Sequence, residues 1–246
     1  MQLRKRLYLV ASGANGFGLT HRSDCHVYLV DGGSELALID AGAGVDVEAV
    51  MRQLEALPVE VDRIRRLFVT HAHADHAGGA AALRETLKLA VACSPEVAAI
   101  LRAGDEGAAS VDVGKAQGSY APEYVYRATP VDDELSDGQA VRVGEVSMRV
   151  VATPGHSTGH LCYLVDADGQ LDLFTGDTLL FGGRIILQST WDCDLRAHID
   201  SLRRLAEHPF EGFFPGHRTF SLTDGRRHLD RALEALDRGA LPPTLA

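Results

Sequence analysis

Three histidines and an aspartate fall within six residues of the stretch Val69-Thr70-His71-Ala72-His73-Ala74-Asp75-His76-Ala77-Gly78-Gly79. Imidazole nitrogen and carboxylate oxygen are donors that divalent transition-metal ions favour. Crowding so many together is economical chiefly when a cation holds them in place. A zinc ion with an open position takes three protein donors, so His71, His73, Asp75 and His76 exceed what one such ion needs. Two ions are expected. A His-rich loop can also be a solvated turn or an adventitious metal binder, so donors elsewhere in the chain decide the matter.

Three later positions supply them. His156 lies in Thr153-Pro154-Gly155-His156-Ser157-Thr158-Gly159-His160, Asp177 in Thr175-Gly176-Asp177-Thr178, and His217 in Phe213-Phe214-Pro215-Gly216-His217. Each follows an apolar run and a glycine, which lets the backbone pass close to a bound ion where a Cβ would clash. One ion would take His71, His73 and His156, the other Asp75, His76 and His217, with Asp177 offering one oxygen to each.

These loops need elements to hold them. Arg66 to Thr70 reads as a strand that delivers the first loop, followed by a helix from Ala80 to Leu87 and a strand from Leu89 to Cys93, a βαβ unit. Before it, His26 to Val30 and Leu36 to Asp40 flank the turn Asp31-Gly32-Gly33-Ser34 as a hairpin. Asp46 can cap a helix in which Val47, Val50, Met51, Leu54 and Leu57 recur at helical spacing, ended by Pro58. Ser94-Pro95 opens another helix. From 104 to 130 no period is sustained, so this stretch is expected to be an insertion or lid in a single domain spanning 1–246. Tyr120, Tyr124 and Tyr126 can line a pocket from it. Strands follow at Ala140–Val143 and Val146–Val151, then at Leu161–Val165 and Leu171–Phe174. Asp194 caps a helix with Leu195, Ile199, Leu202 and Leu205 on one face, and a last helix runs from Asp224 to Asp237. Every polar cluster sits where a strand stops, which is where layered α/β proteins assemble sites.

Composition sets limits. The chain has 246 residues and a net charge of −10. That acidity argues against a nucleic-acid partner, because phosphate neutralisation needs clustered Lys and Arg. The apolar stretch Leu7 to Ala11 is too short for a secretory leader and reads as a first strand. No segment approaches membrane-spanning length. Cys25, Cys93, Cys162 and Cys193 lack C-x-x-C spacing and are expected to be inert thiols. A small-molecule substrate, no membrane and a cytoplasmic location are the expectations.

The ordered set His71-x-His73-x-Asp75-His76, Gly155-His156, Gly176-Asp177 and Gly216-His217 resembles the metallo-β-lactamase-fold hydrolases from about Val27 to His217. Phe174-Thr175-Gly176-Asp177-Thr178-Leu179 and Thr153-Pro154-Gly155-His156 look most like the glyoxalase II-type branch. The resemblance implies an α/β four-layer αββα sandwich with a dinuclear centre at one edge.

Such a centre holds a metal-bridging hydroxide and polarises an acyl carbonyl, with Asp75 as the residue that orients the nucleophile and relays its proton. Zinc is the first expectation, and iron or manganese suit the same donors. Thioesters, esters and lactones are the expected substrates. A lactonase, an iron-dependent persulfide dioxygenase and a non-catalytic metal-binding module are the alternatives, and a β-lactam is less expected without an export signal. Only the segment 218–246 follows the last donor, which disfavours a glutathione-binding helical region. Arg184 and Tyr124 are the candidate substrate contacts. His160 and His26 can support the site, whereas His198, His208 and His228 are expected on helix surfaces or in solvent.

Overall fold

The computed structural model describes residues 1–245. In the N-terminal half, β1 (Gln2–Arg4), β2 (Leu7–Ala11), β3 (Val27–Asp31) and β4 (Leu36–Ile39) pair antiparallel in sequence order. Helix α1 (Val47–Glu55) crosses to β5 (Ile64–Phe68), parallel to β4. Helices α2 (Ala74–Ala77) and α3 (Ala80–Leu87) lead to β6 (Ala90–Cys93). Helices α4 (Pro95–Ala103) and α5 (Val111–Ala116) then lead to the short edge strand β7 (Asp133–Glu134), completing a seven-stranded sheet. The C-terminal half forms a second sheet of five strands. β8 (Ala140–Val143), β9 (Val146–Ala152), β10 (Leu161–Ala167) and β11 (Gln170–Gly176) make a meander, and α6 (Leu195–Leu205) carries the chain to β12 (Gly212–Pro215), parallel to β11. α7 (Arg226–Asp237) follows.

Strand periodicity explains the layering. Tyr28 and Val30 of β3 point between the sheets, with Ile39 and Phe68, against Met148, Tyr163, Phe174 and Phe214 of the second sheet. One residue over, Leu29 points the other way and joins Leu38, Leu67 and Val91 beneath Val50, Leu83 and Leu101 of the helices. The outer face of the second sheet repeats the scheme, with Cys162, Leu164, Leu173 and Phe213 under Leu202, Leu205 and Leu229. The order is helix, sheet, sheet, helix, the αββα sandwich expected. Aromatic rings fill the middle, where Phe174 stacks on Phe214 at 5.1 Å and meets Tyr28 edge-on at 5.2 Å.

Local chemistry fixes the helix starts. The carboxylates of Asp46 and Asp194 accept from the N–H groups of Ala49 and Ala197, and Ser94 Oγ accepts from Val97 ahead of Pro95. Three details depart from the sequence reading. The stretch 104–130 contains α5, against whose Gly114 the Tyr120 ring packs so closely that a Cβ there would lie 2.5 Å from it. Leu195 is exposed, while His198 takes a place on the buried face of α6. His228 is also buried, its Nε2 2.7 Å from Ser221 Oγ and its Nδ1 accepting from the Gly182 N–H. Leu7 to Ala11 forms an inner strand, and among the described residues no helix is long and apolar enough to cross a membrane.

Candidate metal centre

β5 stops at Phe68, and the loop it releases is tied down from several sides. Tyr163 Oη donates to the Val69 carbonyl and Tyr126 Oη to that of Ala72, at 2.7 and 2.9 Å. The Leu161 N–H donates to the Thr70 carbonyl from the second sheet. The short α2 then turns Asp75 and His76 back toward His71. Such bonds locate the donors before any ligand arrives.

All seven sequence-predicted donors come together. His73 Nδ1 lies 3.1 Å from both His71 Nε2 and His156 Nε2. His217 Nε2 lies 3.1 Å from Asp75 Oδ2 and 3.3 Å from His76 Nε2. Asp177 stands between the groups, with Oδ2 3.6 Å from His156 Nε2 and 3.4 Å from His217 Nε2, and Oδ1 3.4 Å from His76 Nε2. His71, His73, His76, His156, Asp177 and His217 are buried, and Asp75 is half-buried.

The proton bookkeeping shows that this donor set fits a cation. Thr70 Oγ1 donates to Asp40, so His71 Nδ1 donates to Thr70 Oγ1 at 3.0 Å and Nε2 keeps its lone pair. His156 Nδ1 faces the Ile186 carbonyl at 3.3 Å, and His73 Nε2 faces Asp192 Oδ2 at 3.4 Å; both nitrogens must carry the proton. His71 Nε2, His73 Nδ1 and His156 Nε2 therefore aim three lone pairs at one another. Burial, and then the neighbouring imidazoles, hold His71 well below its usual pKa. Burial pushes His156 down to about 3 even though Asp177 opposes it. Unprotonated nitrogens facing each other at this distance repel unless a positive ion sits among them. In the second group, burial disfavours charge on His217, yet Asp177 and Asp75 outweigh it and hold the imidazole up at about 9. Asp177 Oδ1 is buried without a hydrogen-bond partner among the described residues.

Two glycines matter for closeness. A Cβ at Gly216 would lie 2.5 Å from His76 Cε1 and 2.7 Å from Asp177 Oδ1. At Gly176, with φ +46°, it would lie 2.6 Å from His160 Nε2.

Behind the donors stand supporting residues: Asp40 and Asp192, which the sequence reading passed over, and His160 and His26, which it named. Asp40 closes the hairpin strand at φ +63° and accepts from the Thr70 N–H at 2.8 Å and from His76 Nδ1 at 2.8 Å. Its place at a strand end was the available signal. Asp192 gave none. It sits in an irregular loop, where Ser157 Oγ donates to it at 2.6 Å and its Oδ2 faces His73 Nε2. Burial opposes its ionisation, but His73 and Ser157 hold it well below the usual carboxylate range. His160 Nε2 accepts from the Asp177 N–H at 3.2 Å, and His26 Nε2 donates to the Arg218 carbonyl at 3.1 Å. Replacing Asp40 with asparagine keeps a side chain that tolerates the left-handed backbone. It places either an NH₂ against the His76 N–H or an unmatched donor against the Thr70 N–H. Metal affinity is expected to fall about 10- to 100-fold, read by competition with a chromophoric chelator, while the circular dichroism spectrum stays unchanged.

A cleft of about 660 Å³ opens over His73, Asp75, Asp177 and His217. The 104–130 stretch forms one wall through Ala109, Ser110, Val113, Gly114 and Tyr120. The two candidate substrate contacts lie elsewhere. Arg184 Nη1 donates to the Thr244 carbonyl at 3.3 Å and does not line the cleft. Tyr124 stacks on Tyr120 and donates to the Ala43 carbonyl at 2.8 Å, leaving Tyr120 as the tyrosine that faces the cavity.

Known proteins share this arrangement of elements. The subclass B3 metallo-β-lactamase BJP-1 of Bradyrhizobium japonicum superposes with a TM-score of 0.72 over 97% of this chain and 92% of its own, at 16% identity. A HARLDQ-motif mutant of a Cronobacter sakazakii metallo-β-lactamase gives 0.70 over 97% and 85%, at 24% identity. In sequence, an atrochrysone carboxyl ACP thioesterase of Aspergillus fumigatus is 31% identical over 193 residues, which is 78% of this chain and 50% of that protein. The lactamase-like protein adaB of Aspergillus niger is 30% identical over 198 residues, 79% of this chain and 50% of its own length. The chain thus spans about half the length of these curated relatives. The family profile of the metallo-β-lactamase superfamily matches residues 22–217, and the chain belongs to that superfamily, whose fold implies divalent metal binding.

Proposed function

We propose that the chain is a hydrolase with a dinuclear metal centre that cleaves an acyl bond, a thioester ahead of an ester or lactone. The observation that carries this reading is the convergence of seven donors into two groups sharing Asp177 at the floor of one cleft. Two divalent ions held there, zinc first and iron or manganese after it, would supply a hydroxide at neutral pH and polarise the acyl carbonyl. His71, His73 and His156 would hold one ion, Asp75, His76 and His217 the other, with Asp177 reaching both.

The chain's own residues supply the remaining steps. Burial works against charge on Asp75, but His76 and His217 outweigh it and hold the carboxyl down at about 2, so it stands ionised beside the cleft. It orients the attacking water and takes its proton at a carboxylate oxygen. Asp40 fixes the ring of His76 through a hydrogen bond to its outer nitrogen, and Asp192 faces the outer nitrogen of His73 at 3.4 Å as a charge partner. The 104–130 stretch, an insertion within a single domain, faces the substrate and limits water entry.

Two points favour the thioester. The thioesterase named above matches over most of this chain, and a thiolate, with a parent pKa of about 8.5, leaves without the protonation that an alkoxide needs. The motif Phe174 to Leu179 keeps the site nearest the glyoxalase II-type pattern.

The test is metal content by mass spectrometry together with a hydrolysis screen over thioesters, esters, lactones and β-lactams, with His73→Ala as control. Two ions per chain and thioester turnover that vanishes in His73→Ala are expected. One iron with oxygen consumption would replace this reading with a dioxygenase. Bound metal without any turnover would leave a binding module.

A further inference from the structure

The cleft wall beside His217 carries two arginines to which the chemistry above gives no role. Arg22 and Arg218 both line the cavity. Their backbones are fixed by a single dipeptide: the Ala14 N–H donates to the Arg22 carbonyl at 2.9 Å, and the Arg218 N–H donates to the Asn15 carbonyl at 2.7 Å. Arg218 has φ +72°, a left-handed conformation that costs a residue with a Cβ some strain, directly after a donor histidine.

The side chains end differently from the backbones. Among the described residues, neither guanidinium has a hydrogen-bond acceptor or a carboxylate partner, and both residues are exposed. Several arginines elsewhere are paired, Arg4 with Asp172, Arg6 with Asp168 and Glu145, Arg226 with Asp230 and Arg227 with Asp224, while Arg65, Arg149, Arg196 and Arg231 are exposed on the outer surface and line no part of the cleft. Position sets Arg22 and Arg218 apart, because among the described residues they are the arginines that line the cleft over His73, Asp75, Asp177 and His217, where their free guanidinium groups are within reach of a molecule bound there. Asp24 nearby does not serve as their partner, since its carboxylate already accepts from the Ala43 N–H and Thr20 Oγ1. Ser110, Gln117, Gln188 and Thr190, which also line the cleft, are uncharged.

We propose that Arg22 and Arg218 form an anion-binding subsite that takes a carboxylate or phosphate carried by the substrate outside the bond to be cleaved. The inference rests on the hydrolase reading and narrows it to an anionic acyl substrate. Guanidinium groups match both anions bidentately. The charge can belong to the acyl part, as in a dicarboxylic acyl group, or to the thiol part, as in a phosphate-bearing coenzyme.

Equilibrium binding of succinate and of inorganic phosphate to the metal-loaded protein tests the subsite directly. Calorimetry on wild type, Arg22→Gln, Arg218→Gln and the double variant is expected to show affinity about tenfold lower in the double variant for at least one of the two anions. Any ions on the floor attract anions in every variant, so the comparison between proteins isolates the arginines. An affinity for each anion that is the same in wild type and in the double variant overturns the proposal, with or without a known substrate. Two substrate pairs then locate the charge. S-succinyl against S-butanoyl N-acetylcysteamine reports the acyl side, and acetyl-coenzyme A against S-acetyl-N-acetylcysteamine the thiol side. The ratio of kcat/KM, anionic over neutral, is expected to fall about tenfold in the double variant for one pair, and an unchanged ratio in both overturns it. No turnover of any of the four with the binding contrast intact would reject the thioester reading and uphold the subsite.

Discussion

Asp177→Asn is expected to lower hydrolysis by on the order of 10³-fold or more, the scale on which removing one preorganised charge from a reaction centre acts. The substitution is nearly isosteric, so the fold is retained and the loss belongs to charge. Asp177 lies within 3.6 Å of nitrogens from both groups, His156 on one side and His76 and His217 on the other. An amide there cannot neutralise two dications, and an NH₂ turned inward would repel them. Metal content should drop by at least one ion per chain, read by mass spectrometry on the dialysed protein. A variant that keeps its full metal content and more than a tenth of the wild-type rate would show that Asp177 is not shared between ions.

Removing metal from the wild-type protein is expected to produce the largest change in stability. The donors come from both sheets: the 71–76 loop leaves β5 of the first, while His156, Asp177 and His217 leave β9, β11 and β12 of the second. Without an ion, three buried lone pairs oppose one another and Asp177 Oδ1 has no partner among the described residues. An ion present at a thousand times its dissociation constant stabilises the native state by about 4 kcal/mol. For a chain of this size that corresponds to roughly 8–16 °C in Tm. Calorimetric melting before and after exhaustive chelation, then after restoring zinc, would measure it. A shift of under about 2 °C with full loss of metal would mean that the cluster is preorganised by its protein contacts alone.

Much of this site can be read from sequence because its donors occupy short loops at strand ends, where glycine and histidine stand out from apolar neighbours. The 71–76 cluster, Gly155-His156, Gly176-Asp177 and Gly216-His217 all have that form, and the structure places them together. The helix starts at Asp46, Ser94 and Asp194 were legible for the same local reason. What escaped depends on packing between distant segments. His198 and His228 pass for surface residues by their polarity, yet both fall on the apolar face of their helices, where the Thr178 carbonyl and Ser221 Oγ satisfy them from other elements. Asp192 lies in a loop without period, and only the fold brings it to His73. α5 is too short, and too interrupted by Gly114, to announce itself; Tyr120 packing over that glycine completes it. Arg184 beside Asp177 in sequence suggested proximity to substrate, yet the chain turns it toward Thr244.

The segments that supply donors differ from most of those that shape the rest of the cavity. Ala14 to Ser23, Ala109 to Tyr120 and Ile186 to Thr190 give surface to the cleft and no donor side chain to the cluster at its base. Drift in those stretches can exchange one preferred molecule for another while the reacting end is inherited intact, so lineages with a common ligand signature need not share a metabolic role.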